Sequence, residues 1–245
     1  MRLHIVRTII LAGAVLALPT VAMADAVIKK NHMKVNGLRY YKANAHNVTL
    51  GDWGDKKTPV TQANYLEQKG SFKSAVKAVT VSRFKMSQAG ATQANVIGNV
   101  KVPALGLGLS GNDLFKKLKS GQYEFMEIAI RNKVQKFRND ANKQKGKINQ
   151  LKQSDKHRIV SSIIVVISGS EAQKMGLSHQ GKFNGTWNGV KLVVQSDVKS
   201  VSARTYTPGA GNVYAYMLDK ITWDQKKKSK RKKIMDLDHD QHGIN

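Results

Sequence analysis

Apolar and polar residues alternate along much of the chain, which is the pattern of strands that are buried on one face. The alternation covers residues 95–109 and 213–223, and a continuous run rich in β-branched residues covers 158–168. Asn36-Gly37 and Asn188-Gly189 lie between further segments of this kind. Asn-Gly favours the type I′ turn of a hairpin, and such short connections join antiparallel strands. The pattern therefore predicts an α+β fold, mostly an antiparallel twisted β-sheet arranged as a sandwich or half-barrel.

One segment, residues 123–151, has helical spacing. Its apolar residues recur at steps of three, four and seven, namely Met126, Ile130, Val134, Phe137, Ala141, Ile148 and Leu151. A strand over residues 123–130 is the alternative, but the spacing favours one long amphipathic helix over roughly residues 124–144, with a lysine-rich exposed face. One or two short helices are expected besides, the first starting near Asp113. Glycines predict a loop at residues 51–55.

The first 24 residues have the composition of a cleavable export signal. Arg2 and Arg7 precede an uncharged stretch over residues 8–24, which ends in the small-residue motif Ala22-Met23-Ala24. The apolar part is about half of the roughly 20 residues that a transmembrane helix needs. We therefore expect a signal peptide over residues 1–24, cleavage after Ala24 and a periplasmic or secreted mature protein.

The chain contains no cysteine. A lipoprotein is therefore not expected, because its acyl chain needs a thiol at the new N-terminus, and disulfides are excluded as well. The longest apolar run after the signal, Ile163–Ile167, is too short to cross a membrane as a helix. The pattern predicts no transmembrane segment in the mature chain, whose core must be held together by packing.

Positive charge is the strongest indication of function. The chain has 41 Lys and Arg residues against 16 Asp and Glu, a formal net charge of +25. Such a field recruits polyanions through counterion release and steered encounter. The expected partners are lipopolysaccharide, phospholipid, acidic glycan or nucleic acid, and contact with a membrane would be peripheral. The alternative is charge that serves solubility alone.

Two groups of basic residues are candidates for polyanion binding. The first is a run of seven like charges in eight residues, formed by Lys226, Lys227, Lys228, Lys230, Arg231, Lys232 and Lys233. These charges repel one another and cannot pack into a core, so residues 226–245 are predicted to be a flexible basic and acidic tail. The second group lies on the predicted long helix and comprises Lys133, Lys136, Arg138 and Lys143. The folded domain would span residues 25–225, with a subdivision near 110–155 as an alternative.

The sequence favours no cofactor, metal or catalytic site. Carboxylates and imidazoles are concentrated at residues 236–242, but nothing there fixes a ligand geometry. A G-x-G-x-x-G pattern at residues 106–111 follows a segment that Pro103 interrupts, and the helix after it is too short for a dinucleotide site. No nucleophile, base and orienting group occur in a recognisable motif.

These observations predict an exported, non-enzymatic binding or structural protein of the bacterial envelope, which contacts anionic polymers or surfaces through a basic face and a lysine-rich tail. Two alternatives stay open. One is a secreted hydrolase or nuclease, for which the charge gathers an acidic polymer as substrate. The other is an exported effector or toxin that acts on a host cell, where the lysine-rich run would serve as a nuclear-import signal.

Overall fold

A computed structural model of the chain describes residues 26–29, 31–59, 65–77, 79–84, 111–130, 134–170, 183–187, 190–194, 213–224 and 233–240. The strands within these ranges are β1 (Ala26–Ile28), β2 (His32–Val35), β3 (Leu38–Tyr41), β4 (Asp52–Lys56), β5 (Leu66–Ser71), β6 (Thr80–Phe84), β7 (Tyr123–Ala129), β8 (His157–Ser168), β9 (Phe183–Trp187), β10 (Val190–Val194), β11 (Val213–Trp223) and β12 (Ile234–His239). The helices are α1 (Gly111–Lys119), α2 (Val134–Ala141) and α3 (Lys145–Leu151), and short 3-10 turns lie at Ala45–Asn47 and Lys73–Ala75.

Strands β8 and β11 form the centre of a ten-stranded sheet that curls into a half-barrel. They pair antiparallel from Val213 opposite Val165 to Lys220 opposite Arg158. Strands β4 and β7 pair with β8, whereas β3 and β12 pair with β11. Each pairing in the sheet is antiparallel, which confirms the predicted mostly antiparallel architecture.

The predicted hairpin at Asn36-Gly37 is confirmed, and the strands that flank Asn188-Gly189 pair as predicted, although that turn itself lies outside the described residues. Asn36 and Gly37 have φ angles of 50° and 80°, so both central residues take the positive φ that a type I′ turn requires. The turn joins β2 and β3 and places Val35 opposite Leu38. Strands β9 and β10, on either side of Asn188-Gly189, pair antiparallel as a separate two-stranded sheet.

The long helix predicted over residues 124–144 is wrong. Its first part is strand β7, which pairs with β6 on one side and β8 on the other, and the described helical residues of this segment start at Val134. Strand β7 is buried on both faces, because Phe125 packs into one core while Met126 and Ile128 pack into the other. A strand buried on both faces has a continuous apolar pattern that periodicity cannot distinguish from a buried helix.

The sheet separates two hydrophobic cores. Helices α2 and α3 cover the larger core, where Phe137 and Leu151 pack beside Trp53 and Ile163. Helix α1 covers the smaller core with Leu114 and Leu118. Within the described ranges no helix is long and apolar enough to cross a membrane.

The flexible tail predicted over residues 226–245 is wrong for residues 233–240. Strand β12 pairs with the end of β11, from Asp219 opposite His239 to Trp223 opposite Ile234. Ile234 and Leu237 are buried in the larger core, and this burial stabilises the strand. Residues 226–232 and 241–245 lie outside the described residues.

Candidate anion-binding surface

Helices α2 and α3 present a lysine-rich surface to solvent. Lys136 is exposed on α2, and Lys143 and Lys145 are exposed where α2 leads into α3, while Arg138 is half-buried. The carboxylate of Asp140 lies 2.9 Å from Lys143 Nζ and 3.2 Å from Lys77 Nζ. Hydrogen bonds from these two lysines hold the pKa of Asp140 below its ordinary value. One acid is thus shared between two cations, and the surface stays positive.

Asn142, just after α2, attaches β12 to this surface. Its side-chain oxygen accepts a hydrogen bond of 2.9 Å from the backbone N–H of Ile234, and its side-chain nitrogen donates to the Ile234 carbonyl at 3.1 Å. The backbone N–H of Asp224, at the end of β11, donates to the Lys233 carbonyl at 2.9 Å. Asp224 and Lys233, the described residues that flank residues 225–232, therefore lie beside the end of α2.

The structure places some of the predicted polyanion-binding residues and not others. Lys136, Arg138 and Lys143 lie on or directly after α2, and Lys233 is exposed at the start of β12. The remaining predicted residues lie outside the described residues, namely Lys133, Lys226, Lys227, Lys228, Lys230, Arg231 and Lys232. The fold places Lys233, the described end of the lysine-rich run, beside the helix that the sequence treated as a separate basic group.

Three further lysines belong to this surface and were missed from the sequence, namely Lys145, Lys147 and Lys152. Lys147 Nζ donates to the Ser71 carbonyl at 2.6 Å and lies 5.9 Å from the Phe72 ring centre. Lys152 Nζ lies 5.9 Å from the ring centre of Trp223, at the end of β11. The recurrence of lysine between residues 143 and 156 is the sequence signal that could have identified them. We call Lys136, Lys143, Lys145, Lys147, Lys152 and Lys233 the basic surface.

Two clefts open next to the basic surface. One, of about 450 Å³, lies between the end of α3 and strand β11 and is lined by Ser154, His157, Lys220 and Trp223, among others. The other, of about 650 Å³, is lined by cations from β4, β8 and β11 and by acids from the end of β12. Asp155 and Lys220 line both clefts, so the two are adjacent.

A buried charge cluster lies at the larger cleft. The Asp240 carboxylate is 3.0 Å from Lys56 Nζ and 2.5 Å from Arg158 Nε. Tyr41 donates its hydroxyl proton to the Asp240 carbonyl at 2.9 Å. Burial lowers the pKa of Lys56, and its contact with Asp240 opposes that effect. We call Lys56, Arg158 and Asp240 the Asp240 cluster, and none of its members was predicted as a site residue.

Two histidines near the clefts contact buried or half-buried aspartates. His157 Nδ1 is 2.8 Å from the Leu151 carbonyl, and its Nε2 is 3.3 Å from Asp55 Oδ1. His239 Nδ1 is 3.4 Å from Asp219 Oδ1. Within the described part of the chain, no group of three or more His, Asp and Glu residues is arranged to hold a metal ion. These contacts orient the imidazoles and connect neighbouring strands.

Glu127 forms a separate buried polar cluster in the smaller core. Its Oε1 accepts hydrogen bonds from Tyr40 at 2.6 Å and from Ser162 at 2.8 Å. These bonds connect β7 with β3 and β8 and satisfy polar groups that would otherwise be costly to bury. The cluster fixes how the strands are arranged on the side of the sheet opposite to the basic surface.

No family model, curated protein or solved structure matches this chain. What characterises the surface is therefore its own charges and contacts. Lysines are concentrated around the junction of α2, α3 and β12. An adjacent cleft holds a buried pair of cations around one carboxylate.

Proposed function

We propose that the protein binds anionic polymers or surfaces of the bacterial envelope without catalysing a reaction on them, and that the basic surface makes the contact. The observation that supports this best is the pair of hydrogen bonds between Asn142 and Ile234. They hold Ile234 beside helices that carry further lysines, and the backbone hydrogen bond from Asp224 to Lys233 keeps the other flank of the lysine-rich segment at the same place. An anionic chain that lies across this junction contacts both groups of cations.

The charge balance of the junction supports a polymer as the ligand. Asp140, Asp224 and Asp236 are the carboxylates nearest to it in sequence, and Asp140 is shared by Lys77 and Lys143. Each lysine that replaces a condensed counterion on the polymer adds to affinity at low salt. Near an anionic membrane surface each would contribute about 1 kcal/mol. Many weak contacts of this kind suit an extended partner with repeating charge.

The proposed location is the periplasm or the exterior of the cell, after cleavage behind Ala24. Strand β1 begins at Ala26, and its buried residues Ala26 and Ile28 pack into the smaller core. Removal of residues 1–24 leaves all of the described strands in place. The lipopolysaccharide, phospholipid and acidic glycans of the envelope are then the polyanions within reach.

The test compares the salt dependence of binding to heparin and to duplex DNA for two triple variants. In the first, Lys226, Lys227 and Lys228 are replaced by Ser, which keeps the length of the connection. In the second, the matched control, exposed Lys34, Lys116 and Lys119 are replaced by Ser, which removes equal charge from elsewhere. On DNA the slope of log affinity against log salt should fall by about 0.9 for each phosphate that the first variant no longer neutralises.

A neutral substitution tests whether the arrangement of the two groups matters. Asn142→Ala removes both hydrogen bonds to Ile234 without changing the charge, and Asn139→Ala changes an exposed amide on the preceding helix, α2. We expect Asn142→Ala to weaken binding about threefold to tenfold, which corresponds to about 1 kcal/mol. Equal losses in the two triple variants, or affinity that does not depend on salt, would contradict the proposal.

A further inference from the structure

The Asp240 cluster has the geometry of an occupied anion-binding site. Lys56 Nζ and Arg158 Nε approach the two different carboxylate oxygens of Asp240, at 3.0 and 2.5 Å. The side chains of Lys56, Asp240 and Arg158 are only 5%, 8% and 13% exposed. A desolvated ammonium and a guanidinium that converge on one carboxylate make strong charge-assisted hydrogen bonds.

The two cations are positioned by strands other than the one that precedes the carboxylate. Arg158 Nη1 donates to the carbonyls of Asp155 and His157 at 2.6 and 2.9 Å. Lys56 lies 5.9 Å from the Tyr65 ring centre, and its backbone N–H donates to the Lys156 carbonyl at 3.0 Å. Strands β4 and β8 pair with each other and thus hold both cations in place.

Asp240 itself comes from the edge of the fold. It follows β12, whose described pairing is with β11. Its backbone N–H donates to the Leu218 carbonyl at 3.1 Å, and its carbonyl accepts from Tyr41. The larger cleft opens beside it, with Lys57, Lys156 and Lys220 among the residues of its lining. An anion that enters this cleft meets added positive charge on its way to the buried pair.

We propose that Lys56 and Arg158 form a binding site for a small carboxylate or phosphate group, which Asp240 occupies in this structure and from which an external anion displaces it. Two exposed acids, Asp155 and Asp238, also line the cleft. Asp238 is bound by the Thr222 hydroxyl. The site shares no residue with the basic surface, so this proposal and the proposed function can fail separately.

The experiment measures binding of inorganic phosphate and of acetate to full-length wild type, Asp240→Asn and Asp238→Asn by calorimetry. Asp238→Asn is the matched control, because it removes the same charge from the same segment at the same cleft. We expect Asp240→Asn to bind one of the two anions at least about tenfold more tightly than wild type, since the ligand no longer competes with a tethered carboxylate. Asp238→Asn should change the affinity less than about twofold, as expected for an exposed charge. Which anion binds more tightly identifies the preferred group.

Wild type should still bind that anion, more weakly, because displacement of Asp240 is part of the proposal. The double variant Lys56→Met/Asp240→Asn should lose the gain. Three outcomes would each overturn the site. They are equal affinities of Asp240→Asn and Asp238→Asn for the anion, no binding by wild type at saturating anion, and an increased affinity of Asp240→Asn that persists when Lys56→Met is added. If Asp240→Asn does not fold, recovery of its circular dichroism spectrum by phosphate or acetate supports the site, and failure of both to restore it overturns the site.

Discussion

Lys42 is buried, although lysine is a residue type that usually lies on the protein surface. It follows β3 and is only 5% exposed, with its Nζ donating to the Lys29 carbonyl at 3.2 Å and lying 5.4 Å from the Tyr214 ring centre. Burial lowers its pKa from 10.5 to about 8. Sequence periodicity carries no signal for this burial, because the residues that cover Lys42 come from distant strands.

The lowered pKa of Lys42 predicts that stability rises with pH in the alkaline range. Between pH 8 and 10.5 the unfolded chain holds the Lys42 proton while the folded protein has released it, so raising the pH favours the folded state. From about pH 7 to pH 10 the free energy of unfolding of wild type should rise by about 2 kcal/mol relative to Lys42→Met. Urea titrations at intervals across that range measure it.

The control for this prediction is Lys34→Met, which removes an exposed lysine of β2. Its pH dependence should follow that of wild type. The comparison ends at pH 10, because burial raises the pKa of Tyr214 and Tyr216 above the ordinary value of 10.0, and ionisation of these tyrosines in the unfolded chain opposes folding beyond that point. A wild-type curve parallel to that of Lys42→Met would contradict the assignment.

At the scale of elements, the loop that the glycines predicted over residues 51–55 is wrong, because Asp52–Lys56 form strand β4. A Cβ added at Gly54 would lie 2.0 Å from the carbonyl oxygen of Glu67, so the absence of a side chain lets β4 and β5 approach. A register shift lies between Trp53 and Gly54 in the same pairing. Glycine here serves close backbone contact, a role that sequence alone cannot distinguish from a turn.

Gly54→Ala is therefore expected to destabilise the pairing of β4 with β5. We expect a loss of about 3 kcal/mol or more in the free energy of unfolding, at the upper end of the range for overpacking. Gly146→Ala is the matched control, because Gly146 lies in α3 and nothing is within 4 Å of a Cβ added there. That change should stabilise the protein by about 0.5–1 kcal/mol through helix propensity. Chemical unfolding of both variants measures the difference, and similar effects of the two substitutions would show that the close approach at Gly54 is wrong.

For the molecule as a whole, positive charge is a cost to folding as well as a means of binding. A formal net charge of +25 repels itself more strongly in the compact state than in the expanded chain. Exposed ion pairs such as Lys143 with Asp140 offset little of this, because such pairs contribute about 0–1 kcal/mol. Screening by salt should therefore weaken the repulsion among the positive charges more than it weakens the attraction within ion pairs.

Stability should consequently increase with ionic strength. Between about 20 and 200 mM salt the screening length falls to well under half of its value at the lower concentration. We expect the free energy of unfolding to rise by about 1 kcal/mol, because the repulsion that salt removes outweighs the attraction that it removes from exposed ion pairs. Thermal melts in potassium fluoride and in sodium chloride should agree, which separates screening from specific anion binding. A fall in stability with salt would show that ion pairs outweigh the net charge.

The sequence by itself determined the features that depend on composition or on a few neighbouring residues. The antiparallel character of the sheet, the hairpin turn at Asn36-Gly37 and the strand near 158–168 all follow from local pattern and turn chemistry, and the structure confirms them. The positive charge and the absence of cysteine are properties of composition. Of the predicted binding residues, those on α2 could be proposed because the helical spacing of the apolar residues indicates which lysines lie on the exposed face.

Only the tertiary structure decided the rest. Part of the predicted helix is strand β7, because β6 and β8 pair with it. Part of the predicted tail is strand β12, because it is buried against α2 and β11. The Asp240 cluster joins residues 82 positions apart in the chain, and no local pattern connects Arg158 with Asp240. Contacts between distant segments depend on how the whole sheet curls, and their free energies exceed the local preferences from which a sequence is interpreted.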